Sequence, residues 1–71
     1  MDILIFKTNL AHPALLKQAE PFILNLPGIH RWNVDMQDCD NVLRIEAISL
    51  SPAHVETVLQ EAGYYCEELL D

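Results

Sequence analysis

Hydrophobic and polar positions along the chain change period five times, and each change marks an element. Ile3, Leu4, Ile5 and Phe6 form a β-branched and aromatic run of the length that suits a strand inside a sheet, so a first strand is predicted over residues 2–9. Leu15, Ala19, Phe22 and Leu26, with Leu16 and Ile23 beside them, then follow a four-three-four spacing that makes one helical face. Pro13 suits the first helical position because its missing N–H has no partner there, which puts His12 at the capping position, and Leu26-Pro27-Gly28 ends the helix. Pro21 removes one interior hydrogen bond, so a kink or shift is expected near residues 17–21.

Beyond Gly28, Trp32, Val34 and Met36 alternate with Arg31, Asn33 and Asp35, the period of a strand with one wet face. The turn formers Asp38, Asp40 and Asn41 interrupt this pattern, and Leu43, Ile45 and Ala47 resume it against Arg44 and Glu46, which predicts a hairpin. Ser51-Pro52 repeats the helix-start signature, with Val55, Val58, Leu59 and Ala62 on one face before Gly63. "YYCEELL" closes the chain as a last strand. The predicted order is strand, helix, strand, strand, helix, strand. The fold class is therefore α+β, a ferredoxin-like βαββαβ sandwich with a four-stranded antiparallel sheet and two helices on one face.

A length of 71 residues allows one domain, residues 1–71, and a chain this short buries only about 60% of its unfolded surface. The 51% hydrophobic content is what such a core needs in the absence of staples. Cys39 and Cys66 lie too far apart for a zinc ribbon and are too few for a disulfide framework, so free thiols in a reducing cytoplasm are expected. "MDILIFK" has none of the features of a signal peptide, and no run approaches membrane-spanning length. Eleven acidic against four basic residues give a formal charge of −7, which repels nucleic acid and anionic lipid and accommodates a cation or a basic protein surface.

Four pieces, in order, carry a resemblance: "LPGI" at residues 26–29, "WNVDM" at 32–36, "VLRIE" at 42–46 and "LQEAGYYCEEL" at 59–69. Together they resemble the heavy-metal-associated domains of copper chaperones and of metal-pumping ATPases. The motif of that family is a methionine, a spacer, and two cysteines separated by two residues, in the loop after the first strand. Counting back from "LPG" puts Leu10 at the methionine, His12 at the first cysteine and Leu15 at the second. The dithiol is missing, and only His12 keeps ligand chemistry. The resemblance implies a small metal-chaperone-like domain whose metal binding is weak, altered or lost. It also implies packing roles near the loop for Leu10, Leu15 and Tyr64.

In the expected fold His12, Cys39, Tyr65 and Cys66 belong to one end of the sheet, and His30 and His54 to the other. His12 and Cys66 are the candidate metal ligands, with Asp38 or Asp40 as an oxygen ligand, for Zn, Cu or Ni bound weakly. Against this stand an exposed capping role for His12, a buried apolar role for Cys66 and the width of sheet that ligands from Cys39 and Cys66 would have to span. Another reading makes the chain a metal-independent interaction module, docking on a basic protein through Asp35, Asp38 and Asp40. A homodimer could complete a metal site on His12 in trans. No glycine-rich phosphate loop, paired metal-binding histidines or serine triad is present, and Arg31 and Arg44 are expected on mid-sheet strands rather than in a phosphate-holding loop, so no enzyme is expected.

Overall fold

The computed structural model describes residues 1–69. Its elements are β1 (Asp2–Thr8), α1 (Pro13–Leu24), β2 (Ile29–Asp35), β3 (Val42–Ala47), α2 (Pro52–Glu61) and β4 (Cys66–Glu68). The four strands form one antiparallel sheet in the order β2-β3-β1-β4. This is the βαββαβ ferredoxin-like sandwich that the alternating patterns predict.

Alternation along β1 and β3 sorts the two faces. Leu4 and Phe6 stand opposite Ile45 and Leu43 in register, and these four are buried with Ala19 and Ile23 of α1 and Val55 and Leu59 of α2. The other face carries Ile3, Ile5 and Lys7 of β1, Arg44 and Glu46 of β3, and Arg31, Asn33 and Asp35 of β2. Among the described residues no helix covers that face, and it bears the ion pair Arg31–Glu46 at 3.9 Å.

Local chemistry departs from the sequence reading in several places. The first strand ends at Thr8, one residue early, because Asn9 turns its side chain to another segment. β2 begins at Ile29, with a register shift between Ile29 and Arg31, and ends at Asp35, where the carboxylate accepts a hydrogen bond from the Gln37 N–H and starts the turn. β2 is also an edge strand, so Arg31 is not mid-sheet. As expected, Pro21 does not end α1, which runs from Pro13 to Leu24 with Pro21 inside it. His12 and Ser51 hold the N-cap positions by backbone conformation, but neither side chain makes a capping hydrogen bond.

The last strand is only three residues long, not the seven of "YYCEELL". Tyr64 and Tyr65 precede it, Leu69 follows it, and Leu70 lies outside the described residues. Its start is fixed by the end of α2. There the N–H of Gly63, at φ +96°, donates to the carbonyl of Gln60, and the N–H of Tyr64 donates to that of Leu59. This paired closure needs a left-handed residue at its centre.

Candidate functional site

The loop between β1 and α1 is held by two polar side chains at its entrance. Thr8 is the one buried polar residue among those described. Its backbone N–H donates to the carbonyl of Asp40 at 3.0 Å, its hydroxyl donates to the carbonyl of Asn41 at 2.6 Å, and the same Oγ1 accepts from the N–H of Leu10 at 3.2 Å. Asn41 adopts the left-handed conformation, at φ 45°, that presents its carbonyl to the threonine. Asn9 then accepts the N–H of Tyr65 on Oδ1 at 3.0 Å. Thr8 and Asn9 thus fasten the loop to the hairpin turn and to the approach to β4, the three segments that form one end of the sheet.

Within this frame the motif positions separate. Leu10 is fully buried and Leu15 is half-buried against the core. His12 is exposed, its backbone extended at φ −134°, ψ 147°, with its carbonyl accepting the first helical hydrogen bond from Leu16. Tyr64 is half-buried, with its ring edge-on to Phe22 of α1 at 6.4 Å between centroids and 60° between planes.

Cys66 is buried, and its register partner is Thr8. Burial pushes its thiol pKa up to about 12, and the neighbouring Glu56 carboxylate adds to the effect. At neutral pH the sulfur is a protonated core atom rather than a thiolate. His30, at the β2 bulge, and His54, in the first turn of α2, belong to the opposite end of the fold.

Among the described residues, one group of three or more potential ligands comes together: Asp38, Cys39 and Asp40, whose ligand atoms all lie within 4.8 Å of one another. His12 and Cys66 are not part of it. Backbone turns shape this group. Asp38 accepts the Asp40 N–H on Oδ1 at 2.8 Å, and its carbonyl accepts the Asn41 N–H at 3.0 Å. Lys7 approaches Asp40 Oδ1 at 3.5 Å, and the exposed Cys39 Sγ lies 3.9 Å from the same oxygen. Tyr65 donates its hydroxyl proton to Glu67, which raises the phenol's pKa because the neutral form is the donor.

The donor set does not suit a soft ion held in the loop. One exposed imidazole supplies neither the charge nor the denticity of two thiolates, the nearest buried sulfur faces the core, and the hairpin offers mainly hard carboxylate oxygen. Sequence reasoning read Asn41 only as a turn former and did not single out Thr8 or Asn9. The available signal was their type: hydroxyl and amide side chains at the ends of apolar strands are the usual side-chain partners of loop backbone.

No protein-family model matches the chain, and no curated protein is significantly similar to it. Solved structures do match. The N-terminal domain of ZntA in its Zn(II) form is 24% identical over 93% of this chain and 89% of that one, with a TM-score of 0.75. Oxidized MerP from Ralstonia metallidurans CH34 is 11% identical over 97% of both chains, with a TM-score of 0.81. The N-terminal domain of PacS from Synechocystis PCC6803 is 15% identical over 99% of this chain and all of that one, with a TM-score of 0.77. What the chain shares with these proteins is the fold of the heavy-metal-associated domains, on a sequence whose loop after β1 has no pair of cysteines.

Proposed function

We propose that the chain is a small, non-catalytic heavy-metal-associated-like domain whose metal binding is weak or altered compared with a dithiol carrier. The observation that carries this reading is the state of the loop after β1. Its apolar positions, Leu10 and Leu15, pack into the protein, and His12 alone offers a ligand to solvent. Cys66, the other candidate ligand, supports only a packing role at neutral pH. Any Zn, Cu or Ni that binds does so through His12 or the hairpin carboxylates, with few ligands and ready exchange.

The test is an anaerobic titration of the reduced chain with Cu(I), Zn and Ni, read from backbone amide shifts. Weak, fast-exchange shifts at His12 or at Asp38 to Asp40, or none at all, are expected. Tight, stoichiometric Cu(I) binding by the unmodified chain overturns the reading.

A second reading, metal-independent docking on a basic protein, is favoured by the three carboxylates on and beside the hairpin turn, Asp35, Asp38 and Asp40, of which Lys7 approaches only Asp40. Binding of this kind weakens as salt rises, since exposed charges more than about 8 Å apart are screened at physiological ionic strength. A partner captured from cytoplasm that is retained unchanged in high salt counts against it.

A further inference from the structure

The sheet has two open edges, and they differ in length and charge. β4 spans three residues, Cys66–Glu68, with two adjacent carboxylates, and Glu56 lies against it. A second copy brought to that edge would meet its own negative charge. β2 spans seven residues, Ile29–Asp35, pairs among the described residues only with β3, contains no proline or lysine, and balances Arg31 against Asp35. Of the usual devices that keep a strand edge from pairing, β2 has the irregularity at its start and the charges of Arg31 and Asp35, but it has no proline or lysine and is not short.

The irregularity of β2 fixes how such pairing would run. The register shift between Ile29 and Arg31 leaves a regular stretch of ladder from Arg31 to Asp35, and the midpoint of that stretch is Asn33. We propose that this edge pairs antiparallel with the β2 edge of a second copy, about a two-fold axis at Asn33, making a homodimer with a continuous sheet. In this register Arg31 stands opposite the other copy's Asp35, twice, on the uncovered face. On the covered face Trp32 stands opposite Val34, and both are only half-buried in the single chain. Asn33 meets itself. A slip of two residues sets Asp35 against Ile29 or Asn33 against Asp35, and it loses both charge pairs. The self-complementary row therefore selects one register, as cross-strand pairs do within a sheet. The −7 charge of each chain opposes association at low ionic strength; the acids on β4 and α2 lie toward the far edge of the sheet, Glu46 is paired with Arg31, and Asp38 and Asp40 on the β2–β3 turn are the charges nearest the interface that salt must screen.

The test is sedimentation of the whole chain from about 10 µM to 1 mM in physiological salt, the range a small edge-to-edge contact calls for. The fluorescence of Trp32, the only tryptophan, is recorded at the same concentrations. A reversible monomer–dimer equilibrium is expected, with indole emission moving to the blue as the dimer fills. Arg31→Asp and Asp35→Arg should each weaken self-association about tenfold or more, because like charges then face each other twice. An equimolar mixture of the two variants pairs two carboxylates with two guanidinium groups and should restore the dimer. Asn33→Glu, which sets a carboxylate beside Arg44 within its own chain and two carboxylates together at the axis, should give a folded monomer. A wild-type chain that stays monomeric to the top of the range overturns the proposal. So does association that none of these substitutions changes, or a mixture of folded variants that fails to associate.

Discussion

Thr8 and Cys66 face each other across the β1–β4 pair, one carrying the hydrogen bonds of the loop and the other a buried thiol. The pairing sets the two side chains to opposite tasks at the same end of the sheet. The threonine hydroxyl is spent on backbone, and the cysteine sulfur is spent on packing. Neither is free to serve an ion.

Replacing Thr8 by Val keeps the shape and removes the hydroxyl, which leaves the Asn41 carbonyl and the Leu10 N–H without their partner. A loss of about 1–3 kcal/mol is expected, the usual cost of an unsatisfied buried polar group. Thr8→Ser keeps the hydrogen bonds and should lose less than about 1.5 kcal/mol, the scale of a single buried methyl. Urea denaturation of the two variants measures the difference, and equal losses would show that the hydroxyl contributes nothing beyond its volume.

Gly28 and Gly63 both have positive φ, +74° and +96°, but their surroundings differ. A Cβ on Gly28 would lie 2.2 Å from the carbonyl oxygen of Ile48, a backbone atom whose own N–H donates to the Gly28 carbonyl. Gly63 has open space at that position. Gly28→Ala is therefore expected to cost on the order of 3 kcal/mol or more, combining strain and clash, and Gly63→Ala about 1 kcal/mol from strain alone. Thermal unfolding of the pair tests the ranking.

The apolar run of β1, the alternation of β3, the prolines at both helix starts and the glycine ending α2 were legible because each is a local signal set by composition, period or backbone preference. The length of β4 was not. It depends on Asn9 taking the Tyr65 N–H and on the chain closure at Tyr64, contacts that join distant residues or depend on the exact helix end. The shift at the start of β2 was equally hidden, since His30 and Arg31 are both polar and the alternation reads the same on either side. At the candidate site, the exposure of His12 and the Asp38–Asp40 turn followed from residue type and position. The Thr8 network did not, because a threonine at a strand end is ordinary until the hairpin carbonyl it meets is known.

Cys66 ties stability to pH in one direction. Its folded pKa, about 12, lies above the value of 9.0 expected for an unperturbed thiol, so between these values the folded chain keeps a proton that the unfolded chain releases. The stabilisation is fully present below pH 9 and falls as pH rises from about 9 toward 12. Urea midpoints measured between pH 8 and 10.5 should fall for the wild type and fall less steeply for Cys66→Ala. In the native chain at pH 8, thiol alkylation should modify the exposed Cys39 quickly and Cys66 only on unfolding. Matching alkylation rates at the two sulfurs would contradict the burial.

Changing His12 and Leu15 together to cysteine tests whether the fold, as opposed to the ligand set, limits metal binding. The two positions are separated by two residues across the start of α1, one at the extended N-cap and one in the first turn, so thiols there share the helix N-terminus, where thiolates are stabilised. Losing half-buried Leu15 should cost about 1–2 kcal/mol, part of the price of a fully buried leucine. Against that cost, the double variant should acquire stoichiometric Cu(I) binding that competes with a strong chelator, while His12→Cys alone should not, since one thiolate lacks the second soft donor. Leu10 is left in place as the apolar floor of the loop. Tight binding by the double variant would mean that the scaffold held by Thr8 and Asn9 still presents a working metal loop. Failure of a folded double variant to bind would mean that the hydrogen bonds from Thr8 and the packing of Leu10 hold the loop in a shape that two thiols cannot use.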